Sequence, residues 1–557
     1  MTMDGPSRRT LLAGALLVAL CAAAPWCGTL DHPFLHDDRW AVVDNPLVDG
    51  EVDLASIFTS NSWGNRPEYP HMHYRPLSVL TLSVTRALWG AEPAPFRATN
   101  VALHVAVCVL LFWFLARLGI RPVPAFAGAL WFAVHPLHSE AVLFVVNREE
   151  LMAGLFYLGA LFALLPSLGV APGGTRSLTP ARAALVGGLT LLGLLSKESA
   201  ATAPILVLAL AVAWPLRPRL SWSRALALSG GLVLVLVAYL ALRHAVLGRL
   251  LSDFIPWQDN PLVLADGATR VAGALAVLAE SARLLVAPIH LTVDYGFNVL
   301  GLPVGAWSWR AAAGAGVLAG LAFAAFRGLC RYPLVTLGIL LGVVAWAPFS
   351  NLLFPNSIIL SERNLYLPSL GAAVALAALL HHWSSSTGTR PLAGKAAVAV
   401  TLTACLVLGT LSWDRATDYR SAEALFASSL ANRPGSTRLH NNLGLQYLKT
   451  GRPSKAEAHL GRSLHIDPAN ADAHNNLGLL LGGTGRPRDA AMAFTLALRH
   501  RPGMVPALTN LCWLLVRTGE YEAADDPCRL AFRRGGPVGE AVRRIETRGQ
   551  SGRNRDD

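Results

Sequence analysis

Eleven apolar stretches limit what this chain can fold into more than any other feature of its sequence. They fall at 11–29, 99–116, 123–134, 151–167, 183–196, 199–215, 225–243, 309–326, 332–349, 368–382 and 396–412. A surface helix of a soluble protein needs an apolar stripe on one side only, whereas these runs are apolar all round. In hydrocarbon, every backbone N–H and C=O must find its partner inside the segment, so such runs read as membrane-spanning helices. The stretches at 123–134 and 183–196 are short for a full crossing and are expected to extend into their flanks or to tilt. Basic residues mark alternate connections: Arg117 and Arg121, Arg176 and Arg182, then Arg217, Arg219 and Arg224. Arg327 with Arg331 and Arg390 with Lys395 continue the alternation. With Arg8 and Arg9 in the cytoplasm, each of these falls on the cytoplasmic side, and an odd span count leaves the C-terminal region outside. Residues 271–289 are apolar but carry Glu280 and Arg283 at helical spacing, so they read as an amphipathic helix at the outer interface rather than a span.

The charge balance agrees with this reading. Only 15% of the 557 residues are charged, and 53% are hydrophobic. The net charge of +12 raises the question of nucleic acid. The arginines lie between apolar stretches rather than along one soluble face, so membrane lipid is an expected partner and nucleic acid is not.

Beyond the last apolar stretch the pattern changes to a repeat. His440-Asn441-Asn442-Leu443-Gly444-Leu445 recurs 34 residues on as His474-Asn475-Asn476-Leu477-Gly478-Leu479, and a third copy reads Leu508-Thr509-Asn510-Leu511-Cys512-Trp513. Gly451, Gly485 and Gly519 keep the period, as do Ala456, Ala490 and Ala524, and Pro434, Pro468 and Pro502. This is the tetratricopeptide period of two antiparallel helices joined at a glycine turn. Half a repeat precedes the three, so the stack runs from about 414 to 535. The sequence thus divides into a membrane domain, 1–413, a helical solenoid, 414–535, and a polar tail, 536–557, read as disordered. Asn442, Asn476 and Asn510 recur at one helical position. They read as lining the concave face, where they would bind an acceptor backbone, or else as holding neighbouring turns together. Cys512 and Cys528 sit on facing helices of the last repeat, where a disulfide and two buried thiols are equal readings.

The unusual polar residues lie in the outer segments 30–98, 135–150, 244–308 and 350–367. The first holds an acidic pair, Asp37-Asp38, just beyond the first stretch. A carboxylate there can take a proton from an attacking hydroxyl or hold a cation against a phosphate. Further on come Tyr74-Arg75-Pro76-Leu77, Asn100 with His104, and His135-Pro136-Leu137-His138-Ser139-Glu140. Asn147-Arg148-Glu149-Glu150, Lys197-Glu198 and Ser361-Glu362-Arg363-Asn364-Leu365-Tyr366-Leu367-Pro368-Ser369 complete the set. His135, His138 and Glu140 also allow a divalent cation, although Pro136 interrupts the helix that would align them. No cofactor is otherwise indicated.

Taken in order, these motifs and the repeat resemble the transmembrane-and-tetratricopeptide (TMTC) protein O-mannosyltransferases and their bacterial relatives in the GT-C glycosyltransferase superfamily. The resemblance covers nearly the whole chain. It implies an all-α fold: a polytopic GT-C-type bundle of about eleven spans followed by a tetratricopeptide α-solenoid. It implies transfer of a hexose, mannose first, from a polyprenyl-phosphate donor to a hydroxyl, with inversion at the anomeric carbon. The acceptor would be Ser or Thr of a protein recruited by the repeats, on the outer side of a bacterial cytoplasmic membrane. Asp38 is then the preferred base, with Asp37 as the second choice. Arg363 is the preferred phosphate clamp, because its guanidinium pairs two oxygens at once, with Arg75 and Lys197 beside it. His135, His138, Glu140, Glu149, Glu362 and Tyr366 support the site. Two other readings remain: a non-catalytic membrane scaffold for the repeats, and a transporter of lipid-linked sugars, for which the sequence shows no internal pseudo-symmetry.

Overall fold

The computed structural model describes residues 7–65, 73–168, 178–213, 222–250, 255–297, 299–301, 308–385 and 391–553. Arg176, Arg217, Arg219 and Arg390 lie outside the described residues. Regular structure among the described residues is helical, without strands. Two compact units divide the chain. Met1–Gly64, Met72–Tyr295 and Gly301–Ser421 make the first, and Asn65–His71, Gly296–Leu300 and Ala422–Asp557 the second. The division follows Ser421 rather than residue 413, because the last apolar helix runs unbroken to Asp418.

Among the described residues of the first unit seven helices are long and apolar enough to cross a membrane: Arg8–Thr29, Pro93–Arg117, Val145–Ser167, Trp222–Leu247, Trp309–Leu329, Glu362–Ser385 and Leu392–Asp418. Shorter apolar helices, Pro122–Ala133, Pro180–Ser196, Glu198–Ala211 and Pro333–Phe349, occupy the remaining apolar stretches. The chain is therefore a multi-pass membrane protein. Three of the short helices open on proline, whose missing N–H costs nothing at a first turn. The helix Gly267–Val286 is not among the seven. It pairs Arg283 with Glu280 at 2.8 Å and buries Ala272, Ala276 and Leu284. The segment 30–98 holds a helix that the count of apolar stretches missed, Pro76–Trp89, which buries Val79, Leu82 and Ser83.

Close approach in the bundle depends on small residues. A Cβ on Gly371 would lie 2.2 Å from the backbone nitrogen of Gly342, so only glycine allows these two helices to touch. With no gain from expelling water between helices in lipid, such contact supplies the packing energy.

The second unit begins with Ala422–Asn432 and stacks three helix pairs: Thr437–Lys449 with Pro453–Ile466, Ala471–Gly483 with Pro487–His500, and Val505–Thr518 with Tyr521–Arg533. Gly451, Gly485 and Gly519 turn each pair with φ of +69°, +80° and +84°, the left-handed region where a Cβ is penalised. Within each pair one contact recurs at the same register. A Cβ on Gly444 would meet Leu460 at 2.8 Å, and one on Gly478 would meet Phe494 at 2.5 Å. At the third register stand Cys512 and Cys528, joined by a disulfide. The expected disordered tail is corrected in its described part: Gly539–Arg553 is helical. Val538 and Ala541 are buried against the third repeat, with Val542 and Ile545 packed beside them, an amphipathic spacing hidden by the arginines around it.

Candidate active site

The loop after the first apolar helix is anchored by buried donors. Arg97, buried on Pro93–Arg117, donates to the carbonyls of His32 and Pro33, the latter at 2.5 Å. Arg148 is wholly buried and donates to Asn100 Oδ1, Thr85 Oγ1 and the carbonyls of Thr81 and Phe96, all within 3.0 Å. Asn100 donates in turn to the carbonyls of Val142 and Phe144. These buried donors fix the 30–38 loop and the 135–150 segment to the same helices.

The two acids of the pair diverge. Asp38 has no exposure and accepts the N–H of Val146 at 3.0 Å and of Leu35 at 3.4 Å. Burial pushes its pKa up to about 7, against the pull of the Val146 N–H and of Arg97. Asp37 keeps a side chain 43% exposed and pairs with His36 Nδ1 at 2.6 Å. Its charge acts on Arg363.

Arg363, Lys197 and Arg75 belong to one ionic network. Arg363 pairs with Glu140 at 3.2 Å and donates to Asn147 Oδ1 at 3.3 Å, while its backbone N–H donates to Glu140 Oε2 at 3.0 Å. Lys197 pairs with Glu150, lies 3.7 Å from Glu149, and reaches Asn364 Oδ1 at 3.5 Å. Arg75 pairs with Glu149, and with Glu198 at 2.9 Å. Arg243, which sequence reasoning passed over, pairs with Glu198. Four bases, Arg75, Lys197, Arg243 and Arg363, thus meet four acids, Glu140, Glu149, Glu150 and Glu198. Burial opposes the charge on Arg75, but Glu149 and Glu198 override it and hold its pKa up. Arg75 in turn, with burial, lowers neighbouring His73 to about 3.

The histidines face inward. His135 Nδ1 accepts the N–H of Leu137 at 3.3 Å, so Nε2 carries the proton and donates to Leu285 O at 3.1 Å. His138 Nε2 bonds Ser369 Oγ at 3.0 Å, and His104 bonds Tyr366 Oη at 3.0 Å. Burial lowers His135 to about 4 and His138 well below its ordinary value, so both are neutral. Glu362 Oε1 accepts the N–H of Thr292 at 2.6 Å and the Tyr295 hydroxyl at 2.9 Å. Among the described residues no group of three or more His, Cys, Asp and Glu is placed to hold a metal ion. His135 could not join one without giving up a hydrogen bond. The residues present therefore do not fit the cation that the His135–His138–Glu140 spacing allowed.

In the second unit the asparagines face one another. Asn476 Nδ2 donates to Asn441 Oδ1 at 2.8 Å, and Asn510 Nδ2 to Asn475 Oδ1 at 2.9 Å. Each bond ties a repeat to the one before it. Asn442 accepts from Asn441 at 3.4 Å.

An all-helical, multi-pass membrane unit with buried ionic groups between its apolar helices, followed by a tetratricopeptide stack, defines the class. In sequence the chain is similar to TMTC protein O-mannosyl-transferases. It is 29% identical to protein O-mannosyl-transferase TMTC3 of Mus musculus over 461 residues, 77% of this chain and 48% of that protein. It is 27% identical to TMTC4 of Mus musculus, covering 79% and 65%. It is 26% identical to F38B6.6 of Caenorhabditis elegans, covering 79% and 61%. The chain thus spans about half to two-thirds of the length of these relatives. No protein-family model matches it. Among solved structures it is similar to the oligosaccharyltransferase AglB of Archaeoglobus fulgidus, with a TM-score of 0.40, 14% identity, and coverage of 73% of this chain and 56% of that one. It is also similar to ArnT of Cupriavidus metallidurans, with a TM-score of 0.39, 16% identity, and coverage of 87% and 80%.

Proposed function

We propose that this chain is a membrane glycosyltransferase. It moves a hexose, mannose, from a polyprenyl-phosphate donor to a serine or threonine hydroxyl of an acceptor protein. The observation that carries the reading is the gathering of Arg363, Lys197 and Arg75 beside a partly exposed Asp37, in connections between apolar helices. The names of the relatives support mannose as the sugar and protein as the acceptor.

Of the acidic pair, Asp37 is the base in this reading. Asp38 is enclosed and occupied with backbone N–H groups, so it holds the loop that presents Asp37. The acceptor oxygen attacks the anomeric carbon from the face opposite the phosphate, and its proton passes to the Asp37 carboxylate. The bond from that carbon to the phosphate oxygen breaks, and the electron pair stays on the phosphate. Arg363 meets that new charge, because its side chain is 22% exposed where Arg75 is 11% and Lys197 6%. The phosphate takes the place of Glu140 at the guanidinium, while Arg75 and Lys197 position the surrounding carboxylates. His135, His138 and Tyr366 are neutral supports that set the backbone around Glu140 and Arg363.

The acidic pair and the repeats lie outside the cytoplasm of a bacterial cell in this reading. The alternation of basic connections supports that side, and so does a disulfide in the third repeat, which an oxidising compartment favours. The repeats recruit the acceptor protein. Asn476 and Asn510 serve there by holding the stack, and Asn442 is the acceptor-facing member of the three.

The test uses purified full chain in detergent with labelled mannosyl-phosphoryl-polyprenol and a mixture of extracytoplasmic proteins. The expected result is label on serine or threonine, and Arg363→Ala lowers the rate by at least about tenfold. A parent protein that transfers no label overturns the reading.

A further inference from the structure

Three side chains beside the proposed phosphate site hold polar atoms with nothing to bond. Glu362 is fully buried, and its Oε1 is engaged by Thr292 and Tyr295, but its Oε2 has no hydrogen-bond partner. Arg415, at the end of the last apolar helix, is 6% exposed. Its Nη1 pairs with Asp418 at 2.9 Å, while its Nε and Nη2 have no partner. Tyr419 is fully buried, packs its ring 5.4 Å from Phe144, and leaves its hydroxyl without a partner. The guanidinium carbon of Arg415 lies 5.5 Å from the Tyr419 ring centre. Its charge acts on Glu362, and Glu140, the partner of Arg363, acts on both Glu362 and Tyr419. Four orphaned polar atoms thus share one neighbourhood, and a buried polar atom with no partner is costly enough to call for an occupant.

The chemistry of the four atoms narrows the occupant. The free Nε–Nη2 edge of Arg415 offers two parallel donors, Glu362 Oε2 offers an acceptor, and the Tyr419 hydroxyl offers either. An anion would meet Glu362 and Glu140, and a cation would meet Arg415. A neutral group that donates and accepts through the same atom fits both sides, and a sugar hydroxyl does so. It takes an N–H from Arg415 and gives its own proton to Glu362. Glu140 pairs with Arg363 and acts on both Glu362 and Tyr419, so a hexose whose phosphate replaces Glu140 on Arg363 brings its ring hydroxyls toward this cluster.

We propose that Arg415, Glu362 and Tyr419 form the sugar subsite, holding ring hydroxyls of the donor hexose. This rests on the glycosyltransferase reading for its ligand. The experiment compares binding of two lipids, mannosyl-phosphoryl-polyprenol and polyprenyl phosphate, to the full chain in nanodiscs. Tyr419→Phe removes one oxygen and keeps the ring, and Glu362→Gln keeps the volume, so at least one folded variant is expected. Each should weaken the mannosyl lipid by about tenfold and leave polyprenyl phosphate within about twofold. Equal weakening of both lipids, or of neither, overturns the subsite, as does a change confined to the KM for acceptor protein. Transfer measured on the same preparations separates the two conclusions. A parent that transfers mannose while its variants bind both lipids alike keeps the enzyme and loses the subsite. A parent that binds the mannosyl lipid through these side chains but transfers nothing keeps the subsite and loses the enzyme.

Discussion

Replacing Asp38 with asparagine separates the roles of two neighbouring acids. Asp38 is enclosed, and burial raises its pKa from an ordinary 3.8 to about 7. In the unfolded chain the group returns to its ordinary value, so the folded form binds a proton more readily. Its contribution to stability is fully present below about pH 4 and is lost as pH rises through about 7. Roughly three pKa units at 1.36 kcal/mol each amount to about 4 kcal/mol across that window. Asparagine keeps an oxygen for the Val146 N–H and carries no charge, so this loss disappears. It places an amide nitrogen against the Leu35 N–H, in exchange for a long 3.4 Å bond, at a cost of about 1–2 kcal/mol. The variant should therefore be less stable than the parent by about 1–2 kcal/mol near pH 4 and more stable by about 2–3 kcal/mol near pH 8. Melting of both purified proteins across that range should give two curves that cross, with mannose transfer retained by the variant at pH 7. Parallel melting curves would refute the linkage argument. Parallel curves together with lost transfer would return the role of base to Asp38.

Other expectations follow from the same contacts. Asp37→Asn should lower transfer by about 10²–10⁴-fold with no change in melting, measured with labelled donor, and a variant as active as the parent removes Asp37 from the reaction. Asn476→Ala leaves Asn441 Oδ1 without its donor, so the repeat unit should lose about 1–2 kcal/mol in denaturant melts, and an unchanged midpoint would undo the inter-repeat role. The double change Cys512→Ser and Cys528→Ser opens a 16-residue loop and should cost that unit about 3 kcal/mol by chain entropy; full thiol labelling of the unreduced parent would remove the premise. Gly371→Ala forces a Cβ to 2.2 Å from Gly342 N and should cost about 1–3 kcal/mol, seen as a lower melting temperature of the membrane unit in detergent.

The architecture could be read from sequence where one pattern governs many residues. Apolar runs and the 34-residue period are such patterns, and each apolar stretch carries a helix. The site was legible only as a list of residue types. Adjacent acids look alike in a sequence, yet the turn at His36, with φ of +46°, sends Asp37 outward and Asp38 inward. Arg243 closes the network from the end of an apolar run, where a basic residue reads as a flanking charge and its partner, Glu198, is distant in the chain. The asparagines recur at one register, but recurrence cannot separate a ligand surface from a seam between repeats. Only the structure shows that Asn476 and Asn510 each bond the repeat before them.

The pairing of every base around Arg363 with an acid has a kinetic consequence. A pocket of unbalanced positive charge draws an anionic lipid from beyond a Debye length, about 8 Å in physiological salt, and its association rate falls as salt rises. Around Arg363 four positive groups pair with four negative ones and Asp37 adds a further negative charge, so the site projects no positive field beyond its own walls. On the proposed function, a phosphate-bearing lipid would arrive by lateral diffusion in the bilayer and be recognised only on contact, when it displaces a carboxylate of equal sign. Capture of the donor should accordingly vary little with ionic strength, with discrimination residing in the dwell time of the complex rather than in the rate of encounter.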